Sequence, residues 1–352
     1  MLCAALAAAL WAQSPEPTVE MRGVMARVSE DSLRTNLKYL ASDELEGRST
    51  PSRGLDLAAD YIAEQFKKAG LEPAAGSSYF QTAKLEEFGP QAARLQKSLP
   101  PDAPTTMRNV AGILRGSDPG LRDTFVILSA HYDHVGLAAA GDDRIMNGAN
   151  DDASGTASVI EVARALAGLV ERPKRSILFI AFFGEERGLL GSRYFGRNPL
   201  VPTRQIIAHL NLEQVGRTDA TEGTKIKTAN LTGFDFSEVT GILVEAAAVA
   251  GVVIVKDAVS SDAFFSRSDN QALADLGIPA HTLSVAYQFP DYHKASDEWD
   301  KIDYANMAEI DRAIALGMMR LASDATPPQW NANYAPAARY VEAGRRLQGT
   351  VQ

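Results

Sequence analysis

The stretch SILFIAFF at residues 176–183 is apolar at nearly every position over the length of one strand. A strand has this composition when both of its faces are buried, as in the centre of a parallel sheet covered by helices. Two strand-like runs, NVAGILRG and TFVILSA, precede this stretch, and two more, IIAHLNLEQV and AHTLSV, follow it. Between TFVILSA and SILFIAFF lies the helical segment ASGTASVIEVARALAGL. This alternation predicts an α/β fold with a mostly parallel central sheet flanked by helices.

The rest of the chain is organised around this alternating region. Apolar residues at helical spacing predict helices over residues 27–42 and 55–70, with Ser29 as the N-cap of the first. We predict a single catalytic domain over 25–325, in which the stretch 86–108 has no clear period and forms an excursion loop or an extra ribbon. Residues 326–352 are expected to form a C-terminal tail.

The first residues, MLCAALAAALWAQ, form an apolar run that is too short to span a membrane. They are typical of a signal peptide at residues 1–13 that lacks its charged first part, which predicts an exported protein of the periplasm or the extracellular space. An apolar terminus without a targeting role is the alternative. The only cysteine, Cys3, lies in this segment, so any metal site must be built from histidines and carboxylates.

The overall charge limits the kinds of partner that the chain can bind. The net charge is −9 and the sequence pI is about 5.2, which argues against nucleic-acid binding because phosphates require clustered lysines and arginines. No other stretch approaches the length of a membrane span. The composition leaves the oligomeric state open.

Polar side chains follow three of the predicted strands. TFVILSA runs into His131 and Asp133, SILFIAFF runs into Glu185 and Glu186, and IIAHLNL runs into Glu213. Ligands of open α/β sheets bind beyond the carboxyl ends of the strands, where these residues lie. A solvated turn would explain any one of them, but three such groups at one edge predict a shared site.

These residue types suit metal chemistry. His131 and Asp133 are two positions apart, so the carboxylate can hold one imidazole nitrogen while the other nitrogen faces a metal. Adjacent Glu185 and Glu186 allow one carboxylate to bind metal while the other accepts a proton from water. Asp151, in a glycine-bounded turn before a helix, can lie close to two cations.

The sequence as a whole resembles the M28 family of zinc aminopeptidases over roughly residues 28–322. The segments that carry the resemblance are SAHYDHVG, NGANDDASGTASVIEVARAL, ILFIAFFGEERGLLGSRYF, LNLEQVGR, SRSDNQALADLGIPA and DYHKASDEWDKID. The resemblance implies a zinc-exopeptidase (phosphorylase/hydrolase-like) fold, peptide substrates cut from the N-terminus, and two Zn²⁺ per chain.

The resemblance also implies roles for individual residues. Asp151 bridges the two zinc ions, His131 and Glu213 complete one site, and Glu186 and His293 complete the other. Glu185 is the general base, Asp133 orients His131, and the peptide between Asp151 and Asp152 is cis. Ser268, Asp269 and Tyr292 contact the substrate. Of the other histidines, His134 shapes the turn or the pocket, and His209 and His281 are structural.

Two positions depart from the family pattern and leave alternatives open. Glu213 stands where aminopeptidases of this family usually have Asp, which allows a carboxypeptidase-type enzyme or a centre with one zinc. Asn270 stands where relatives often have His, and we expect it in the pocket wall. A glutaminyl cyclase on the same fold and a non-catalytic binding module are further alternatives, although every expected ligand and the base are filled by competent donors.

Overall fold

The computed structural model describes residues 16–97 and 99–349 of the chain. The predicted signal peptide at 1–13 lies outside the described residues. Within the described part, no helix is both long and apolar enough to cross a bilayer.

Helices and strands alternate through most of the chain. The helices are α1 Val19–Met25, α2 Glu30–Leu40, α3 Arg53–Lys68, α4 Pro90–Gln96, α5 Gly155–Ala167, α6 Leu190–Arg197, α7 Val239–Val249, α8 Ser260–Ala263, α9 Asn270–Ala274, α10 Tyr304–Ser323 and α11 Ala338–Leu347. The strands are β1 Glu72–Pro73, β2 Phe80–Lys84, β3 Thr106–Leu114, β4 Phe125–His131, β5 Gly136–Leu137, β6 Ile145–Met146, β7 Ser176–Phe182, β8 Ile206–Glu213, β9 Asp219–Ala220, β10 Gly223–Thr224, β11 Thr228–Leu231, β12 Val253–Val255 and β13 Ala280–Ser284.

Nine of these strands form one sheet in the order β1-β3-β7-β4-β8-β13-β11-β12, with β2 also paired to β3. The four central strands, β7, β4, β8 and β13, are parallel to one another. The outer pairs are mixed, because β3 runs antiparallel to β7 and β11 runs antiparallel to β13. The predicted α/β fold is confirmed, and the parallel arrangement is confined to the centre and the β11–β12 edge pair.

The central strand β7 explains why its sequence is continuously apolar. Ile177 and Phe179 pack into a core with α2, α3, α5, α7 and α10 on one face of the sheet. Leu178 and Ile180 pack into a second core with α6, α9 and α11 on the other face. Successive side chains of a strand point to opposite faces, so a strand between two helical layers must be apolar at every position.

Two stretches outside the central alternation are more ordered than the sequence predicts. The predicted excursion at 86–108 instead begins with a 3₁₀ turn and α4 and ends in the first residues of β3. Pro90 begins α4, and Ala92 and Leu95 bury its inner face. The predicted tail at 326–352 contains α11, and it adds the stacked rings of Trp330 and Tyr340 to the second core. The packed fold therefore extends beyond the predicted boundary at residue 325.

The polar connection between α2 and α3 holds a fully buried arginine, Arg48. Its guanidinium donates to the carbonyl oxygens of Tyr132 (2.8 Å), Asn147 (2.7 Å) and Gly148 (3.1 Å), and also to that of Leu40. Tyr132 follows the end of β4, and Gly148 precedes the turn that leads into α5. Arg48 therefore ties the N-terminal helices to two loops at the carboxyl edge of the sheet.

Replacement of Arg48 by Met should strongly destabilise the fold. Methionine fills similar space but removes the donor from four carbonyl groups, of which that of Gly148 still accepts from Ala153 N, so we expect the free energy of unfolding to fall by about 3 kcal/mol or more. Urea unfolding followed by circular dichroism measures the loss. Arg53→Met, at an exposed arginine on the same segment, is the matched control. Equal unfolding midpoints for the two variants would show that the buried guanidinium is dispensable.

His209 and His281 lie inside the sheet, as the sequence predicts for structural histidines. His209 Nε2 is 2.6 Å from Ser129 Oγ, and His281 Nε2 is 2.6 Å from Ser237 Oγ. Burial lowers the pKa of His209 from 6.5 to about 3 and that of His281 to about 4. Both imidazoles are therefore neutral in the folded protein near neutral pH.

These two histidines predict a loss of stability in acid. Below pH 6.5 the unfolded chain binds a proton at each position, whereas the folded chain does not, so stability falls as the pH drops towards 3–4. Each histidine contributes a slope of up to about 1.4 kcal/mol per pH unit. In His209→Gln, urea unfolding at pH 6 and pH 5 with a chelator present should show a smaller slope than in the wild type. An unchanged slope would contradict the assigned pKa.

Candidate metal centre

The carboxyl ends of three neighbouring parallel strands deliver the predicted site residues to one edge of the sheet. His131 is the last residue of β4, Glu213 is the last residue of β8, and Glu185 and Glu186 follow the end of β7 after two residues. The hydrogen-bonded register of the parallel strands holds these strand ends side by side. The structure thus brings together the residues that the sequence predicts at this edge.

The turn Ala149–Ser154 places Asp151 in the middle of the site. The peptide bond between Asp151 and Asp152 is cis, as the family resemblance implies. Asp297 accepts hydrogen bonds from the backbone N–H groups of Asn150 and Asp151, and Asp152 accepts from those of Gly155 and Gln214. These bonds hold the turn from both sides, and the Asp151 carboxylate projects between two groups of side chains.

The first group consists of His131, Asp151 and Glu213. His131 Nε2 lies 3.4 Å from Asp151 Oδ1 and 3.6 Å from Glu213 Oε1. All three residues are buried. This is the set of ligands that the sequence predicts for one metal.

The second group consists of His134, Asp151, Glu186 and His293. His293 Nε2 lies 3.0 Å from Asp151 Oδ2 and 3.1 Å from Glu186 Oε1. His134 Nδ1 lies 3.1 Å from the same oxygen of Glu186. The sequence alone predicts no ligand role for His134, although its position next to Asp133 in HYDHVG could have indicated one.

Both groups fit divalent metal ions. His131 Nε2, His134 Nδ1, Asp151 Oδ2, Glu186 Oε1 and His293 Nε2 are buried atoms that have no hydrogen-bond partner among the described residues. Buried polar atoms are normally paired, so several such atoms that converge within 4.8 Å indicate a bound cation. Imidazole nitrogens and carboxylate oxygens are ligands typical of zinc, and Asp151 offers one oxygen to each group.

The electrostatics of the cluster also favour positive charge. Burial opposes the charged forms, yet the carboxylate of Glu213 and hydrogen bonds to Asp133 and Asp151 raise the pKa of His131 well above its usual value. The nearby imidazoles of His131 and His293 outweigh burial and hold the pKa of Asp151 far below its usual value. The carboxylates at this edge therefore attract cations, whether protons on imidazoles or metal ions.

Asp133 contacts both His131 and Glu185. His131 Nδ1 lies 3.0 Å from the backbone carbonyl oxygen of Asp133 and 3.5 Å from its carboxylate. The two carboxylate oxygens accept hydrogen bonds from Glu185 N (3.0 Å) and Thr50 Oγ1 (3.1 Å). The predicted orienting role of Asp133 thus involves its backbone as well as its side chain, and Thr50 is a contributor that the sequence analysis missed.

Glu185 belongs to neither group of candidate ligands. It lines a pocket of about 100 Å³ beside the cluster, together with His131, Asp151, Glu186 and Glu213. Burial raises the pKa of Glu185 well above its usual value, and the nearby carboxylates add to this effect. A carboxyl group beside a metal site and outside both ligand groups is suited to accept a proton from water.

The predicted pocket residues have different surroundings. Tyr292 stacks on His293 at a ring separation of 4.0 Å and lines the pocket. Ser268 also lines the pocket, but its hydroxyl donates to Glu213 Oε1 and accepts from Asn211. Asp269 is buried behind the pocket, where Ser192 donates to it and burial raises its pKa to about 7.

Asn270 was expected in the pocket wall, and this prediction is wrong. Its side chain is fully buried, donates to the carbonyl oxygen of Phe265 and accepts from Thr282 Oγ1. It is not among the residues that line the pocket. Its position at the start of α9 points it into the protein, which the sequence pattern alone does not reveal.

Residues 109–318 match the model of peptidase family M28. A probable zinc metalloprotease of Phaeosphaeria nodorum is 29% identical over 59% of this chain and 43% of its own length. A probable leucine aminopeptidase of Trichophyton verrucosum is 25% identical over 84% of this chain and 74% of its own length. The chain thus spans less than half of the first relative.

Solved structures share the fold at low sequence identity. The aminopeptidase from Aneurinibacillus sp. strain AM-1 has a TM-score of 0.64 at 18% identity, covering 87% of this chain and 97% of its own. The glutaminyl cyclase of Porphyromonas gingivalis has a TM-score of 0.61 at 19% identity, covering 83% of this chain and 98% of its own. The family match spans more than half of the sequence and includes all of the candidate metal ligands, so the chain belongs to peptidase family M28.

Proposed function

We propose that this protein is a zinc-dependent aminopeptidase with two metal ions and Glu185 as its general base. The observation that carries the proposal is the pair of ligand groups that share Asp151, with Glu185 next to them and outside both. The names of the relatives are consistent with this activity. The leader at residues 1–13 supports export, which stays a prediction.

Each side chain would have a distinct part in peptide hydrolysis. His131, Asp151 and Glu213 would hold one zinc, and His134, Asp151, Glu186 and His293 the other. Two zinc ions in these positions would supply Lewis acidity that polarises the scissile carbonyl group and makes water more acidic.

Proton movement would depend on Glu185. Its carboxylate would accept a proton from the attacking water and pass it to the leaving amine, and its buried surroundings keep its affinity for the proton high. The hydrogen bond from the Glu185 amide to Asp133 fixes the backbone that carries it. The pocket beside the two ligand groups would receive the free α-amine of the substrate.

The same fold and ligands leave two competing activities to test. A glutaminyl cyclase shares the fold, and Glu213 in place of Asp was the reason to consider a carboxypeptidase. The hydrogen bond from Ser268 holds Glu213 within the first ligand group. This favours two occupied metal sites whichever of these activities the protein has.

Glu185→Gln should abolish turnover while metal remains bound. The amide cannot accept a proton, so we expect kcat to fall by at least about 10²–10⁴-fold. Zinc content by plasma mass spectrometry should stay at the wild-type value, since Glu185 is outside both ligand groups. Glu171→Gln, at an exposed glutamate, is the matched control. Full activity of Glu185→Gln would rule out the proposed base.

A substrate panel tests the end of the peptide that is cut. We expect hydrolysis of aminoacyl-p-nitroanilides and no hydrolysis of N-blocked peptides with free C-termini. Activity should disappear with 1,10-phenanthroline and return when zinc is added, with two zinc ions bound per chain.

The same panel distinguishes the alternatives. Cleavage of only the N-blocked peptides would establish a carboxypeptidase. Cyclisation of an N-terminal Gln peptide without hydrolysis of the anilides would establish a glutaminyl cyclase.

A further inference from the structure

The pocket beside the metal centre differs in chemistry between its two ends. The inner end is lined by Glu185 and by the candidate ligands His131, Asp151, Glu186 and Glu213, whose negative charge two bound zinc ions would offset. The outer wall is formed by Phe264, Arg267, Tyr287, Gln288 and Tyr292. Arg267 is the single Arg or Lys among the residues that line this pocket, so the wall combines aromatic surface with one positive charge.

Arg267 is oriented by stacking and has no anionic partner. Its guanidinium carbon lies 4.1 Å above the ring of Phe264, which in turn packs edge-on against Tyr287 at a ring separation of 5.2 Å. Within residues 16–97 and 99–349, the guanidinium makes no ion pair or hydrogen bond, whereas the buried Arg217 is paired with Asp219 and Asp291. The donors of Arg267 are thus available to a ligand.

A short peptide that is cut from its N-terminus would place its amino end at the metal centre and its free carboxylate nearby. A carboxylate suits a guanidinium, which binds it through two parallel hydrogen bonds. Each residue of an extended peptide spans at most about 3.6 Å, so the two ends of a peptide of two or three residues are only a short distance apart.

We propose that Arg267 binds the C-terminal carboxylate of short peptide substrates, so that the enzyme acts preferentially on free dipeptides and tripeptides. This inference rests on the proposed aminopeptidase function and specifies its substrate class. Arg267 contributes to substrate binding and has no part in proton transfer or metal binding. Its effect should therefore appear in KM.

The test compares three substrates that differ in the carboxylate. With X as the N-terminal residue that the panel above finds best, they are X-Gly, X-Gly-amide and X-Glu-amide, the last carrying its carboxylate on a side chain. We expect Arg267→Ala to reduce kcat/KM for X-Gly about tenfold, or about 1.4 kcal/mol, mainly through KM. Its kcat/KM for X-Gly-amide and for the p-nitroanilide should stay within about twofold of the wild type.

Two further variants separate the role of the planar guanidinium of Arg267, with its parallel N–H donors, from that of positive charge in general. Arg267→Lys keeps the charge without the planar fork and should recover part of the loss on X-Gly. Arg53→Ala, at an exposed arginine outside the pocket, should change none of the three substrates.

The possible outcomes are distinguishable. Equal losses on X-Gly and X-Gly-amide, or no loss on either, would overturn the role of Arg267 and leave the aminopeptidase function standing. A loss on X-Glu-amide without one on X-Gly would assign Arg267 to an acidic side chain and also overturn the proposal. A wild-type enzyme that cleaves neither X-Gly nor the anilide would overturn the proposed function itself.

Discussion

At the carboxyl edge of the central sheet, buried carboxylates lie close together, and like charges repel strongly where little water is present. Asp151, Asp152 and Glu213 are all less than 5% exposed, and Glu185 lies next to them. Burial and mutual repulsion raise the pKa of Glu185 and Asp152. Such an arrangement is stable only when positive charge is supplied, and the surrounding structure supplies it from several directions.

One source of positive charge comes from outside the family-matched region. Arg48 precedes residue 109, where the match to peptidase family M28 begins, yet its guanidinium is held beneath the turns that carry the site. Burial lowers its pKa to about 10, so it remains charged at neutral pH, and Asp133, Asp297 and Asp151 favour that charge. The connection between α2 and α3 therefore supplies a positive charge beneath the candidate metal site from outside the family-matched residues.

The parts of the site that could be predicted from sequence are those fixed by strand periodicity. His131, Glu186 and Glu213 follow apolar strands, and parallel strands of a covered sheet must end at the same edge. His134 and Arg48 could not be found in this way, because their positions depend on how loops fold back after the strands end. The helix α4 was missed for a related reason, since its buried face is short and is completed only by contact with the rest of the protein.

The departure at Glu213 illustrates how local packing determines the meaning of a substitution. Glutamate is one methylene longer than aspartate, yet its oxygen remains in the first ligand group because Ser268 donates to it and Asn211, from the same strand, donates to Ser268. The longer side chain is thus accommodated by its hydrogen-bonding partners without loss of the ligand geometry. The residue type at this position does not by itself decide which end of a peptide is cut. That choice would depend on how the pocket beside the ligand groups receives the two ends of the substrate.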